Sequence, residues 1–563
     1  MRSSMEDPAE RITEALKNAL EKLGVFGVEA ALEHPAELEH GDFATNVALA
    51  AAKREGISPR ELAEKIVAEL ADVPGVARIE IAGPGFINFH LSREALAESV
   101  GEILAAKEWG KGDALSGERI IVEYAQPNPF KPFHIGHLMS TTIGESVSRL
   151  VENMGAKVFR ANYQGDIGPH VAKCLWGLQK EKLDAHNVED LGKAYVAGNA
   201  AYEDDPKAKE EIDAINKRLY AGDEELKPLY DAGRAASLKH FDEIYKTLGT
   251  HFDHLFFESE AAPVGKKAVE DGLARGVFEA SDGAVVFKGE KAGLHTRVFV
   301  TRAGTPTYET KELGLVALKQ KAFPFDLNIT TVAVEQDGYF KVVEAALAEL
   351  EPKEAGRYTH VTFGMMQLAS GKMSSRKGNV ISGESLIDDM RAKALAKMEG
   401  RDLGAGKAAI ADAVAVAAIK YSILKQARGK NIIFDPEASL SFEGDSGPYL
   451  QYSHVRARAV LRKAEEEKVS AAAERPPENA VELERLLYRF PEVVVRAEEE
   501  KEPHYVTTYL TELAGVFNSW YAKEKIVDAA DPHSPYKVAL TSAFAGTMKR
   551  GLWLLGIEAP EKM

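Results

Sequence analysis

The chain has almost no cysteine. Cys174, the one cysteine among 563 residues, has no internal disulfide partner, so a reducing, cytoplasmic setting is expected. No cluster of Cys and His has metal-ligand spacing, and no dedicated metal site is expected. The first residues are polar and acidic, without the apolar stretch of a signal peptide. No later apolar run is long enough to cross a bilayer, so no membrane partner is expected. Internal repeats and low-complexity linkers are also missing. Positive charge is in deficit: 70 Lys and Arg face 87 Asp and Glu, for a formal net charge of −17. That excludes a uniformly basic coat for nucleic acid, and any RNA must meet local basic strips.

The composition, 45% hydrophobic and 28% charged, is that of an ordinary globular protein. The length exceeds what one hydrophobic core supports, so several domains are expected. Residues 9–24 have helical periodicity, with Ile12, Leu16 and Leu20 on one face. His40-Gly41-Asp42 is a turn before a second helix. Arg78–Ile81 and Phe86–Phe89 alternate as strands around Gly83-Pro84-Gly85. Arg119 to Ala125 is an apolar strand, Leu138 to Met154 a helix and Val158 to Tyr163 a strand; this βαβ order implies parallel pairing. From about Gly177 to Phe257 the pattern is helical and charged, an insertion, and short strands follow to Thr301. The α/β pattern resumes with a helix from Tyr308 and a strand from Ile329 to Val334. Beyond Lys407 the pattern is helical, with stripes such as Ala415, Ile419, Ile423 and Leu510, Leu513, Phe517. The runs at Glu465–Glu467 and Glu498–Glu500 read as solvated faces. The expected fold is α/β and multidomain. It comprises a small α+β unit over residues 1–112, a central parallel-sheet domain over 113–405 with insertions at about 177–305, and an all-α bundle over 406–563.

Two loops carry the chemistry. The first is Pro127-Asn128-Pro129-Phe130-Lys131-Pro132-Phe133-His134-Ile135-Gly136-His137-Leu138, between an apolar strand and a long helix. A helix start offers unpaired N–H groups to phosphate. A glycine between two histidines lets a flat ligand near the backbone. His134 and His137 add donors for developing phosphoryl charge. Taken alone, this motif also fits a solvated helix cap. The second loop, Gly371-Lys372-Met373-Ser374-Ser375-Arg376-Lys377-Gly378-Asn379, is basic and suits charge gathered on a departing pyrophosphate. Together the loops point to chemistry at the α-phosphate of ATP.

This pair of loops resembles the two hallmark motifs of class I aminoacyl-tRNA synthetases. Over nearly the whole chain the resemblance extends to the arginyl-tRNA synthetase family. It is carried by Val122-Glu123-Tyr124-Ala125-Gln126-Pro127-Asn128, by Arg160-Ala161-Asn162-Tyr163-Gln164-Gly165-Asp166-Ile167-Gly168, by Asp445–His454, and by the segment from Leu554 to Met563. Two N-terminal segments, His40–Asn46 and Ala82–Asn88, resemble that family's added tRNA-contacting domain. The resemblance implies a Rossmann-type catalytic domain with insertions. The substrates would be L-arginine, ATP with Mg2+, and tRNA(Arg), with the enzyme expected as a cytoplasmic monomer. Arginine carboxylate would attack the α-phosphate to give arginyl-adenylate, in a step that itself needs tRNA. A ribose hydroxyl of the tRNA would then take the arginyl group.

By the same resemblance, His134, Gly136, His137, Lys372 and Lys131 are catalytic. Pro127, Met373, Ser374 and Ser375 join them around ATP. Glu123, Tyr308 and Glu312 surround the guanidinium, while Asn128 and Gln336 hold the α-amine and carboxylate end. Tyr308 and Glu312, four apart on a helix, share one face. Read singly, Tyr308 is a core aromatic and Gln336 a turn residue. Tyr449, Tyr452, Arg456, Tyr521 and Met563 are expected at the anticodon loop, where aromatic stacking beside basic residues suits single-stranded RNA. The family usually has Asp at the place of Glu312, and often Ser at Gln126 and Trp at Ile167. Ser375 replaces the second lysine of the wider class motif, and Lys131, just before the histidines, is expected to supply the charge in its stead. Other readings of the same residues are a lysine-charging synthetase, a non-catalytic tRNA-binding paralogue and a nucleotidyltransferase acting without tRNA.

Overall fold

A computed structural model describes residues 8–70, 72–369, 382–400 and 406–563. Lys372, Met373, Ser374, Ser375, Arg376 and Lys377 lie outside the described residues. The chain divides into two compact units. One holds the residues up to Trp109 together with Arg456–Pro491 and Glu512–Met548; the other holds Gly110–Val455, Glu492–Thr511 and Lys549–Met563.

The first unit begins with α1 (Pro8–Lys22), β1 (Phe43–Thr45), α2 (Val47–Glu55), α3 (Pro59–Glu69), β2 (Val76–Ala82), β3 (Phe86–Leu91) and α4 (Arg93–Ala105). Its sheet is antiparallel in the order β1-β3-β2. β1 stands where only a turn and a helix were expected. Its three residues are all buried, so no alternation marks them as a strand. Asp42, fully buried, accepts from Leu91 N at 2.7 Å and pairs with Arg485. Glu484 accepts from Arg93 at 2.8 Å and from the Tyr536 hydroxyl at 2.5 Å. Buried charges are tolerated when paired and hydrogen-bonded in this way.

The second unit contains β4 (Arg119–Glu123), α5 (Ile135–Asn153), β5 (Lys157–Gln164), α6 (Pro169–Glu181), α7 (Val188–Asp204), α8 (Pro206–Tyr220), α9 (Lys227–Thr247), β6 (His254–Phe257) and α10 (Glu258–Ala274). A small antiparallel sheet of β7 (Glu279–Ser281), β8 (Ala284–Phe287) and β9 (Arg297–Val300) follows. Next come α11 (Tyr308–Ala322), β10 (Leu327–Ala333), α12 (Asp337–Leu350) and β11 (Tyr358–Phe363). The five-stranded sheet runs β11-β10-β4-β5-β6, with every pair parallel. Helical crossovers cover parallel sheets on both faces. Ile120, Ile121 and Val122 of β4 are accordingly all buried. β6 corrects the reading of a helical segment running to Phe257. Its four residues emerge from charged helices and pair with β5 at the sheet edge.

β12 (Met366–Leu368) lies parallel to β13 (Ile432–Phe434), with α13 (Gly383–Lys397) and α14 (Lys407–Leu424) between them in sequence. α14 is apolar around most of its surface and its residues from Val414 onward are almost all buried, as expected of a helix inside a core. The remaining helices are α15 (Pro436–Ser439), α16 (Gly447–Glu466), α17 (Glu482–Leu487), α18 (Phe490–Glu500), α19 (His504–Lys523) and α20 (Ser534–Leu554). Glu498, expected on a solvated face, is instead buried and accepts from Lys501 at 2.5 Å.

Candidate active site at the carboxyl ends of the parallel strands

The chain moves outward from β4 to β5 and β6 on one side, and from β10 to β11 on the other. The β4–β10 boundary is therefore the point where strand order reverses, and ligands of open α/β sheets bind there, beyond the strand carboxyl ends. A cavity of about 420 Å3 occupies this place. Every strand of the sheet contributes to its wall: Gln126 and Asn128 after β4, Tyr163 and Gly165 at the end of β5, Glu258 after β6, Ala333 at the end of β10 with Gln336 beyond it, and Phe363 at the end of β11.

One end is built by the histidine loop. Ala125, Gln126 and Phe130 adopt positive φ of 71°, 56° and 67°. Non-glycine residues in this region are uncommon and are held by their surroundings. Ala125 N donates to Ser140 Oγ at 3.0 Å, and Phe130 N donates to Ser237 Oγ at 3.0 Å. His134 caps α5, and its backbone N donates to His137 Nδ1 at 3.2 Å. Nδ1 of His137 is thus the acceptor, which leaves the ring proton on Nε2. The two rings stack with centroids 3.5 Å apart. Gly136 permits this packing, because a Cβ there would stand 3.0 Å from the His134 ring. Burial holds His137 well below the usual histidine range, with His134 and Lys131 adding to the effect. His134 is lowered by burial and then by Lys131. Both imidazoles are therefore neutral donors. Lys131 is lowered by burial and by Lys173, and its ammonium lies 5.5 Å from the centre of the Tyr195 ring. Ser382 bridges to His134, and Gly383 N donates to Phe133 O at 2.8 Å. The chain that follows the second basic loop therefore returns to the histidine loop.

The other end is acidic. Tyr308 and Glu312 of α11 both line the cavity. Glu312 is raised to about 8, first by burial and then by Glu123. Tyr308 is 68% exposed, and Gln336 is exposed at the rim. Glu123 is buried and is not among the lining residues. It forms an ion pair with Lys319 and accepts from Gln126 Nε2 at 2.7 Å. Lys319 also donates to Asn328 at 2.9 Å. Asn128 Oδ1 accepts from Gly165 N at 2.9 Å, tying the β4 loop to the end of β5. Sequence reasoning missed Glu258, which lines the cavity and accepts from Lys311 at 2.5 Å. Burial raises the Glu258 carboxyl, against the pull of Lys311. Its signal was available, since Leu255-Phe256-Phe257-Glu258 is an apolar strand ending in an acid, like Val122-Glu123. Tyr163 and Tyr339 were missed as well.

Behind the histidine helix lies another buried carboxylate. Glu145 of α5 accepts from Arg149 at 2.6 Å, Arg160 at 3.1 Å, Tyr124 at 2.8 Å and Thr250 at 2.7 Å. Burial opposes its ionisation, but Arg160 and Arg149 lower it to about 2. Arg149 also donates to Trp553 O and Gly249 O, each at 2.9 Å. Lys420, fully buried, donates to Leu248 O and Gly556 O, each at 2.6 Å. Both side chains occupy carbonyls at the carboxyl ends of α9 and α20, and burial lowers Lys420 to about 7.

Among the residues expected to meet RNA, Arg456 hydrogen-bonds Asn518 and lies 5.1 Å from the centre of the Tyr521 ring. Tyr449 and Tyr452 are half-buried on α16. Met563 packs, partly buried, against the core that includes β4 and α5.

Three family models match. "tRNA synthetases class I (R), catalytic domain" covers residues 99–436, "DALR anticodon binding domain" covers 450–563, and "Arginyl tRNA synthetase N terminal domain" covers 10–91. The chain is 33% identical to "Arginine--tRNA ligase" of Streptococcus pneumoniae (strain CGSP14), over 98% of this chain and 99% of the relative. It is also 33% identical to the protein of that name from Lactococcus lactis subsp. lactis (strain IL1403), over 99% and 100%. The solved Thermus thermophilus arginyl-tRNA synthetase superposes with a TM-score of 0.80 at 26% identity, covering 99% of this chain and 100% of that one. The Plasmodium falciparum enzyme shares the fold, with a TM-score of 0.78 at 20% identity and the same coverage. The parallel sheet, the histidine loop and the catalytic-domain match define the class I tRNA synthetases. Within that class, the chain belongs to the arginyl-tRNA synthetase family.

Proposed function

We propose that this protein ligates L-arginine to tRNA(Arg) through an arginyl-adenylate, consuming ATP and releasing AMP and pyrophosphate. The observation that carries this reading is the polarity of one cavity. Neutral histidines at the start of α5 share it with the carboxyls of Glu312 on α11 and Glu258 at the start of α10. A guanidinium suits the acidic end, because carboxylates accept its forked N–H groups. Triphosphate suits the end at His134, Gly136 and His137. The substrate's own carboxylate then falls between them, within reach of the α-phosphorus. There one of its oxygens forms the new P–O bond while pyrophosphate leaves. A ribose hydroxyl of the tRNA next attacks the adenylate carbonyl, and AMP leaves. Apart from the donors at the phosphates, the protein mainly holds groups in line.

Within this reading Mg2+ arrives with ATP. Lys131 supplies charge in place of the lysine that Ser375 lacks, and Lys372, Met373, Ser374 and Ser375 attend the phosphates. Asn128 and Gln336 hold the α-amine and carboxylate end, and Tyr308 closes over the guanidinium. Glu123 acts from behind the wall. Tyr449, Tyr452, Arg456, Tyr521 and Met563 serve the anticodon loop. We assign residues 1–112, 113–405 and 406–563 to the tRNA-contacting, catalytic and anticodon-binding domains of a cytoplasmic monomer. Arginine-dependent charging of purified tRNA tests the whole. Lysine charged in preference to arginine, or tRNA bound without ATP–pyrophosphate exchange, would refute it.

A further inference from the structure

Tyr163 is the penultimate residue of β5 and is among the residues that line the cavity. Its hydroxyl is buried without a hydrogen-bond partner. Buried hydroxyls are rarely left so, since burial costs them their bonds to water. Burial keeps this phenol protonated, and the fields of Glu312, Glu258, Tyr339 and Glu123 reinforce that. A neutral O–H donor therefore stands among acids. Two of those acids already have cations: Glu258 has Lys311, and Glu123 has Lys319. Glu312 has no hydrogen bond or ion pair among the described residues. The groups acting on it are Glu123 at the end of β4, Lys319 and Glu309 on its own helix, and Glu258 at the start of α10. Tyr163 and Tyr339 in turn feel its field from β5 and α12. At neutral pH Glu312 holds its proton.

We infer that Tyr163 is a positioning residue for the bound amino acid: its hydroxyl donates to the Glu312 carboxylate when a guanidinium occupies the acidic end, and Glu312 releases its proton to solvent in the same event. The inference rests on the arginine reading of the cavity. The proton balance is simple. Arginine arrives already charged, the carboxyl O–H bond breaks, and the proton goes to the buffer. The phenol keeps its own proton and shares it with the new carboxylate. A hydrogen bond to an ionised partner is stronger than one to a neutral partner, so the contact forms most strongly with the cation in place.

Calorimetric titration of L-arginine into the full-length protein, in buffers of differing ionisation heat near pH 7, reads both parts. About one proton released per arginine is expected. Tyr163→Phe removes only the hydroxyl. It is expected to weaken arginine binding ~10- to 100-fold and to move the pH midpoint of arginine affinity upward, with the melting temperature retained. Glu312→Gln is expected to abolish proton release, and Tyr163→Phe added to it should cost little more. Unchanged affinity and midpoint in Tyr163→Phe, or full additivity of the two changes, would overturn the inference while leaving arginine charging intact. If the wild-type protein binds no arginine, this inference and the proposed function fall together.

Discussion

Two glutamates in the second unit, the buried Glu145 and the half-buried Glu312, have opposite fates. Glu145 is surrounded by two arginines and two hydroxyls and ionises readily, at about 2. Glu312 shares its surroundings with Glu123 and ionises only near 8. Burial opposes the charge in both. The difference is in how the nearby cations are spent. Lys319, the basic side chain acting on Glu312, is committed to Glu123, whereas Arg149 and Arg160 both point at Glu145. One cluster is electrically complete within the protein. The other has an acid in excess, which is what a site for a cationic substrate requires.

Breaking each cluster should separate stability from binding. The largest effect is expected from Glu145→Gln, which leaves the buried Arg160 with only the more exposed Glu152 as a carboxylate partner; a loss of about 3–5 kcal/mol is expected, read by denaturant titration. Glu312→Gln should do the reverse, leaving stability unchanged or improved. It should raise the KM for arginine on the order of 100-fold or more, corresponding to a cost of about 2–5 kcal/mol for a buried charged partner, as measured in steady-state charging. Unchanged arginine kinetics in this variant would end the comparison.

The pH dependence of stability sharpens the contrast, because the signs differ. The folded pKa of Glu145 is depressed from the ordinary 4.5 to about 2, so its contribution is present above 4.5 and is lost as pH falls toward 2. That of Glu312 is raised from 4.5 to about 8, so the folded state keeps a proton that the unfolded state gives up. Its contribution is present below 4.5 and is lost as pH rises toward 8. Glu312→Gln should therefore flatten the neutral limb of the stability–pH curve and spare the acidic limb, as followed by thermal melts across pH. A smaller effect is expected from Lys420→Met, which strips donors from the carbonyls of Leu248 and Gly556. A loss of about 1–3 kcal/mol is expected, with the arginine KM unaltered because Lys420 caps helices behind the site.

Legibility followed local signals. The strand before Ala125, the helix from Leu138 and the β2–β3 pair all carry periodicity or turn residues within a short window, and each forms. β1 and β6 are three and four residues long, too short for a period to register. Overlooking β6 meant overlooking Glu258, whose place in the cavity depends on that strand. Glu498 read as surface because it sits in an acidic run, but Lys501 one turn on makes burial tolerable. Gly136 has a further role that spacing did not reveal, since a Cβ there would crowd the ring of His134.

The order of strand, histidine loop, helix and strand, the acidic residue that ends β4 and the helical stretch beyond Lys407 were determined by the sequence alone. Local stereochemistry and side-chain periodicity write them directly into the chain. Only tertiary structure decided which cation neutralises which carboxylate. Lys319 could not be assigned to Glu123, nor Lys311 to Glu258, from positions far apart in sequence. Those assignments leave Glu312 with the unspent charge, because ionisation inside a protein is governed by burial and by neighbours brought together through the fold.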